Sequence, residues 1–374
     1  MIHPFIYGKS VDGEHFTDRE FETKRLLLNF ENGVNSILIS PRRMGKTSLV
    51  RHVANLLDNK TIKVVFMDIY KCRNEMDFYE LFASSVIQAT ASKIDKMIDY
   101  AKEFIMGITP QIRYSPEPNS DFSLSLGLNR HANSPEELLS LPERIAEKQG
   151  VNIVVCIDEF QQIGEMPDSL TLQKQIRSVW QHQKHTSYCL FGSKRHLMSN
   201  LFSSRSMPFY QFGDLFYLKK ISADKWVPFI VDRFNQAGKQ IKKEQALSIC
   251  QTVDCYSAYV QQLAWNVFAF ASDVVDDEAM SNGFQFTMEQ TAPLFMEQCG
   301  GLTTYQLEFL RAVCDGHHKD FTKKEVMSRY RWGSRTNLDK MKTVLIEREI
   351  LEQTEEGIIF ADPLFAKWFS IYMR

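Results

Sequence analysis

The sequence has no apolar run longer than a buried strand. Its longest runs, such as Ile153–Ile157, are about a quarter of the ~20 residues that a membrane-spanning helix needs. The opening "MIHPFIYGKS" lacks the basic start and apolar stretch of a secretion signal. A soluble, cytoplasmic protein with no membrane partner is therefore expected. Seven cysteines, at positions 72, 156, 189, 250, 255, 299 and 314, form no C-x-x-C pair and no zinc-ligand spacing. Their odd number favours reduced thiols over a disulfide framework, and Cys156 and Cys189 sit in apolar patterns where cysteine acts as a small hydrophobe. Charge of one sign is also missing. Lys and Arg total 44 against 46 Asp and Glu, a net charge of −2, so any basic binding surface must be local. There is no internal repeat and no low-complexity tract. What remains is ordinary globular composition, 44% hydrophobic and 24% charged over 374 residues, long enough for two or three domains.

Strand and helix signals alternate through the first 220 residues. Ile37–Ile39, Val64–Met67, Ile153–Ile157, Tyr188–Phe191 and Leu215–Leu218 read as strands. Lys46–Asp58, Asp77–Ala91 and Glu136–Lys148 read as helices. Strands separated by helices imply a parallel sheet covered on both faces. Between 106 and 134 the pattern breaks into a Pro-, Ser- and Asn-rich excursion. Its alternating "FSLSLGL" allows either an edge hairpin or a loop. After Ile221 strand signals stop, and helices with bulky faces follow, carrying Trp226, Phe229, Ile230 and Phe234, then Tyr259, Leu263, Val267 and Phe270. From Leu302 the order is helix 303–314, helix 322–329, helix 335–347, a hairpin with Glu356-Gly357 at its turn, and a short helix from Asp362-Pro363. That is the order of a winged helix-turn-helix. The expected domains are 1–220, 221–300 and 301–374.

The stretch "SPRRMGKTSL", Ser40–Leu49, follows a strand and opens a helix, the context of a phosphate-binding P-loop. Gly45 lets the backbone turn and aim N–H groups inward, and the helix N-terminus adds partial positive charge. Lys46 would bridge β- and γ-phosphate oxygens, and the Thr47 hydroxyl would ligate Mg2+. The first glycine of the motif is absent, with Ser40 in its place. A second signal is "VNIVVCIDEF", an apolar strand that ends in Asp158-Glu159 at the sheet edge where open α/β folds bind ligands. Asp158 would hold Mg2+ through its water shell, and Glu159 would polarise the attacking water. Ser193, at the end of the following strand, would either sense the γ-phosphate or cap the next helix.

These motifs resemble the AAA+/STAND-type P-loop ATPases, and within them the prokaryotic archaeal-type ATPase family. The resemblance covers nearly the whole chain, from "FTDREFE" (Phe16–Glu22) to "FADPLFAKWF" (Phe360–Phe369). It implies a sheet with strand order 5-1-4-3-2, ATP or ADP bound by Ser40, Pro41, Arg42, Arg43, Met44, Gly45, Lys46, Thr47 and Ser48, and Phe16 and Arg19 near the adenine. It implies a Mg-dependent ATPase acting as an ATP-driven switch, a helical lid and a C-terminal winged helix. Two departures stand out. Where relatives carry an arginine after a "PFY" element this chain has Phe212, so slow basal hydrolysis is expected, with Arg43, Arg195 and Arg205 as nearby cations. The lid segment "YSAYVQQL" lacks the paired glycines of its relatives.

Arg329, Arg331, Arg335, Lys340 and Lys342, with Asn337 among them, suit phosphate and base-edge contacts with duplex DNA. A winged helix that packs as a regulator fits the same residues. Trp332 beside them reads as a core anchor. Three readings thus stand together: an ATP-dependent switch that works with a protein partner or by self-assembly, an ATP-modulated DNA-binding regulator, and a non-catalytic nucleotide-binding scaffold.

Overall fold

The computed structural model describes residues 3–91, 94–106, 110–114, 122–128, 134–332 and 334–373. The chain divides into two compact units, Arg19–Lys219 and a second formed by Met1–Asp18 with Lys220–Arg374. The first eighteen residues therefore leave the unit that the sequence pattern gave them. Side chains explain the reassignment. Phe5 is fully buried beside Phe229 and Phe234, and His3 stacks on Trp265 with centroids 3.4 Å apart. The buried Gln261 amide accepts from the Ile6 N–H and donates to the His15 carbonyl, both at 3.3 Å.

The first unit is built on strands β1 (Ser36–Ile39), β2 (Ile62–Asp68), β3 (Gln111–Tyr114), β4 (Phe122–Ser125), β5 (Asn152–Asp158), β6 (Thr186–Gly192) and β7 (Asp214–Tyr217). Five of them form one sheet in the order β2-β5-β6-β1-β7, with every neighbouring pair parallel. Read from the other edge and counting only these five, that is the 5-1-4-3-2 order implied by the resemblance. β3 and β4 pair antiparallel, with Gln111 opposite Ser125, so the alternating segment is a hairpin. Positions 107–109, 115–121 and 129–133 of the excursion lie outside the described residues. Glu80 fixes the exit of β4 by accepting from the Leu126 and Leu128 N–H groups.

Local chemistry sets the element limits. Ile153–Ile157 is buried throughout, as a strand covered on both faces must be. Asn74 accepts from Met76 and Asp77 and so starts the helix Glu75–Thr90. The single helix expected over 136–148 is instead two, Pro135–Leu139 and Leu141–Gln149, broken at Ser140. Pro142 in the second of them has no N–H for the preceding turn. Below the sheet Trp180 stacks on Tyr188 at 3.7 Å, and Phe209 and Phe212 close around the pair.

The second unit holds helices Ala223–Gln236, Lys243–Thr252, Ser257–Phe270 and Asp277–Gly300, then Thr304–Cys314, Lys324–Tyr330 and Arg335–Glu347. Strands β8 (Leu351–Thr354) and β9 (Gly357–Phe360) follow, and the helix Pro363–Tyr372, capped by Asp362, ends the unit. The turn of the β8–β9 hairpin is Glu355-Glu356 rather than Glu356-Gly357. Gly357 opens β9 at φ +128°, where a Cβ would lie 2.3 Å from the His318 carbonyl oxygen. Among the described residues no helix is long and apolar enough to cross a membrane.

Candidate functional site

The loop from Ser40 to Gly45 joins β1 to the helix Lys46–Leu56, so the helix N-terminus and the loop N–H groups share one edge of the sheet. Ser40 is 1% exposed and is not among the residues with positive φ. Its position therefore asks for a small side chain and not for glycine's freedom. The left-handed conformation falls on Arg43 (φ 67°) and Gly45 (φ 85°) instead. Open space lies where a Cβ on Gly45 would be, so conformation alone selects glycine there. Lys46 is buried, and its Nζ donates to the Ser40 and Pro41 carbonyls at 3.0 and 2.9 Å. Met44 and Ser48 are buried, Pro41 and Thr47 are half-buried, and Arg42 and Arg43 are exposed.

The carboxyl ends of β5 and β6 bring the acidic residues to this loop. Thr47 Oγ1 donates to Asp158 Oδ2 at 2.7 Å, although 111 positions separate the two residues. Burial pushes the Asp158 carboxyl from 3.8 up to about 6, and the Glu159 charge adds to the rise while the Thr47 hydroxyl opposes it. Glu159 takes a left-handed φ of 54°, which turns its side chain toward β6. There Ser193 Oγ donates to Glu159 Oε2 at 2.9 Å, and the Gln161 amide donates to the same oxygen. Arg42 Nε reaches Ser193 Oγ at 3.4 Å. The helix Arg195–Ser203 has Lys194 at its N-cap with no side-chain cap, so the Ser193 hydroxyl serves Glu159 rather than that helix.

Arg19 lies at φ 74° and is 4% exposed. Its guanidinium donates to the carbonyls of Lys219 at 2.6 Å and Met44 at 3.2 Å, and to Glu22. Through the Met44 carbonyl it braces the backbone of the loop. Phe16 belongs to the second unit, where its N–H closes the 3-10 turn Gly13–His15 on the Gly13 carbonyl at 3.1 Å. Phe212, where an arginine was sought, is core. It is 6% exposed and carries the Arg177 guanidinium 4.9 Å over its ring. Arg195 lies over the Tyr217 ring at 5.9 Å, and Arg205 is exposed.

Sequence reasoning missed Gln161, two residues beyond the acidic pair and 2% exposed. A buried glutamine in a turn gives no periodic signal. Asp254 and Cys255, just ahead of the helix Ser257–Phe270, adopt left-handed φ of 49° and 55°.

A five-stranded parallel sheet that carries a lysine-bearing loop and an Asp-Glu pair at one edge defines a P-loop ATPase fold. The chain belongs to the ATPase domain family predominantly from Archaea, whose model matches residues 16–263. It carries a nucleotide-binding ATPase domain. Among solved structures it resembles the Walker-type ATPase of Pyrococcus abyssi, with a TM-score of 0.70 at 17% identity over 98% of this chain and 99% of that one. The ORC2 protein of Aeropyrum pernix, solved as ADPNP–ADP complexes, gives 0.61 at 12% identity over 98% and 94%. The ORC1 protein of the same organism in complex with DNA gives 0.50 at 11% over 96% and 94%. At these identities the likeness is one of fold. No curated protein sequence matches the chain.

Proposed function

We propose that the protein is a Mg-dependent ATPase working as a slow molecular switch, with nucleotide state coupled to its C-terminal helices. The observation that carries the reading is the meeting of Thr47 and Asp158 at 2.7 Å, with Lys46 and Glu159 their neighbours in the chain. Two hard oxygen donors beside a buried lysine and a helix N-terminus fit Mg2+ and a polyphosphate. Bound Mg2+ would supply charge neutralisation at the transferring phosphoryl group. Thr47 and Asp158 would hold the ion. Lys46 leaves its loop carbonyls for phosphate oxygen, and the N–H groups of the loop from Ser40 to Ser48 line the phosphates. Glu159 accepts the proton of the attacking water, and Ser193 reports the phosphate to Glu159 through their shared hydrogen bond. Arg19 acts as a positioning residue for Met44. With Phe212 in the core, that position supplies no arginine to the phosphates, and low basal turnover follows.

The switch output rests on packing within the second unit. Phe295, in the long helix of the proposed lid (221–300), meets Phe365 and Trp368 of the proposed winged helix (301–374) at 5.3 and 5.8 Å. Tyr259 donates to Asp362, and Tyr256 to the Ala361 carbonyl. Lid and winged helix are thus tied to move together. Lys46→Ala is expected to lose nucleotide binding, measured by fluorescent-nucleotide titration. Glu159→Gln should keep binding but lose phosphate release, and equal turnover in Glu159→Gln and wild type would remove Glu159 from the mechanism.

A second reading, duplex DNA binding modulated by ATP, draws on the exposed Arg331, Arg335 and Lys340 and on the ORC1 neighbour solved with DNA. Three residues named for it are already engaged, the first being Arg329, which donates to Asp315 at 3.0 Å. Asn337 donates to the Trp332 carbonyl at 2.8 Å, and Lys342 lies over the Phe321 ring at 5.2 Å. Trp332 is fully buried and stacked on Tyr330. Mobility shifts from ~50 to ~200 mM salt decide this reading, since phosphate contacts must weaken steeply with salt.

A further inference from the structure

We propose that Gln161 is the positioning residue that aims the Glu159 carboxylate, and that Gly192 is glycine in order to admit it. The inference rests on the hydrolytic role given to Glu159 above. Glu159 sits at the head of the 3-10 turn Phe160–Glu165, and that turn carries Gln161 back under the carboxylate. The Gln161 amide N–H and the Ser193 hydroxyl both donate to Glu159 Oε2. No hydrogen bond within the described residues reaches Glu159 Oε1. Two donors converging on one oxygen stop the carboxylate from rotating and leave Oε1 as the acceptor presented to solvent.

The other end of the Gln161 amide is costly. Its Oε1 is buried without a hydrogen-bond partner in a side chain that is 2% exposed, and such an orphan acceptor costs about 1–3 kcal/mol. Turning the amide over would not relieve it, because a carbonyl oxygen would then face the Glu159 carboxylate. The charge on Glu159 therefore fixes which way the amide points, and the orphan oxygen is held against Gly192. A Cβ at Gly192 would stand 1.9 Å from that oxygen and 2.9 Å from Met198 Sδ. Methionine can bend away, but the Gln161 amide is held by Glu159 at its other end. Any side chain at position 192 must push Gln161 off the carboxylate. Gly192 precedes Ser193, so β6 delivers one donor to Glu159 and makes room for the other.

A double-mutant cycle tests the idea on the full-length protein with Mg-ATP. Gln161→Ala and Gly192→Ala should each lower kcat by about 100-fold, the size expected when a reacting group loses its aim, with KM and ATP-analogue affinity within about twofold of wild type. Because Gly192 acts through Gln161, the double variant should be no slower than Gln161→Ala alone. A double loss equal to the product of the two single losses overturns the proposal, as does a kcat for Gln161→Ala within about twofold of wild type. A crystal structure of Gln161→Ala gives a readout independent of turnover. The Glu159 carboxylate should rotate off Ser193, and a carboxylate still at 2.9 Å from Ser193 Oγ overturns the proposal. Undiminished turnover in Glu159→Gln would instead overturn the hydrolytic reading, while that crystal structure still decides the positioning.

Discussion

Asp158 shows what the site costs the fold. Burial holds its carboxyl at about 6 instead of 3.8, so between these values the folded chain keeps a proton that the unfolded chain has released. Stability from this group is full below about 4 and is lost as pH rises through about 6. Asp158→Asn, which is neutral and of the same shape, should be more stable than wild type at pH 7.5 by about 1–3 kcal/mol. That gap should close as pH falls toward 4, read by denaturant melts across pH. The same variant should bind Mg-nucleotide poorly, and wild-type affinity for Mg-nucleotide should decline below about pH 6 as the carboxylate is protonated. Arg19 differs from the loop residues because its partners are backbone carbonyls. Arg19→Ala should weaken ATP binding by loosening Met44, while a lysine there, with no planar fork to reach two carbonyls, should rescue it incompletely.

At the scale of elements, the helix Glu20–Glu31 is clamped to β7. Arg25 donates to both carboxylate oxygens of Asp214, Asn29 adds a bond at 2.9 Å, and Arg25 lies 4.5 Å over Phe216. The Arg25 hydrogen bonds hold the Asp214 carboxyl below its ordinary range. A depressed carboxylate contributes stability above the unfolded value of about 3.8 and loses it as pH falls through the folded one. Asp214→Asn should therefore cost about 1–2 kcal/mol at pH 7, with a difference that disappears in acid. Strand cores and the Lys46 helix were readable because their apolar spacing is local. The break at Ser140 was hidden because Glu136–Lys148 keeps helical spacing on both sides of it. The β8–β9 turn shifted by one residue because the approach of His318 decides where Gly357 must stand.

For the whole molecule, the proposed boundary at 300 cuts across a packed seam. Trp368 is 2% exposed and leans on Phe295 of the helix Asp277–Gly300. Trp368→Ala should cost about 3–5 kcal/mol, and hydrogen exchange should speed up in Asp277–Gly300 as well as in Pro363–Tyr372. Faster exchange confined to residues after 301 would mean that the proposed winged helix is an independent body. The N-terminal eighteen residues carry the same lesson. Their neighbours, Gln261 and Trp265, lie some 250 positions away, and no local pattern announces such a pairing.

The sequence alone determined the alternation of strands and helices, the loop that carries Gly45, Lys46 and Thr47, and the acidic pair at the end of β5, since each is a property of neighbouring residues. Tertiary structure decided the rest. It put Thr47 on Asp158, left Ser40 without need of glycine, buried Phe212 among aromatics, turned Arg19 onto the loop backbone and set Gln161 against Gly192. These outcomes depend on which distant groups share a confined space and on which hydrogen bonds survive burial, quantities that exist only once the chain is packed.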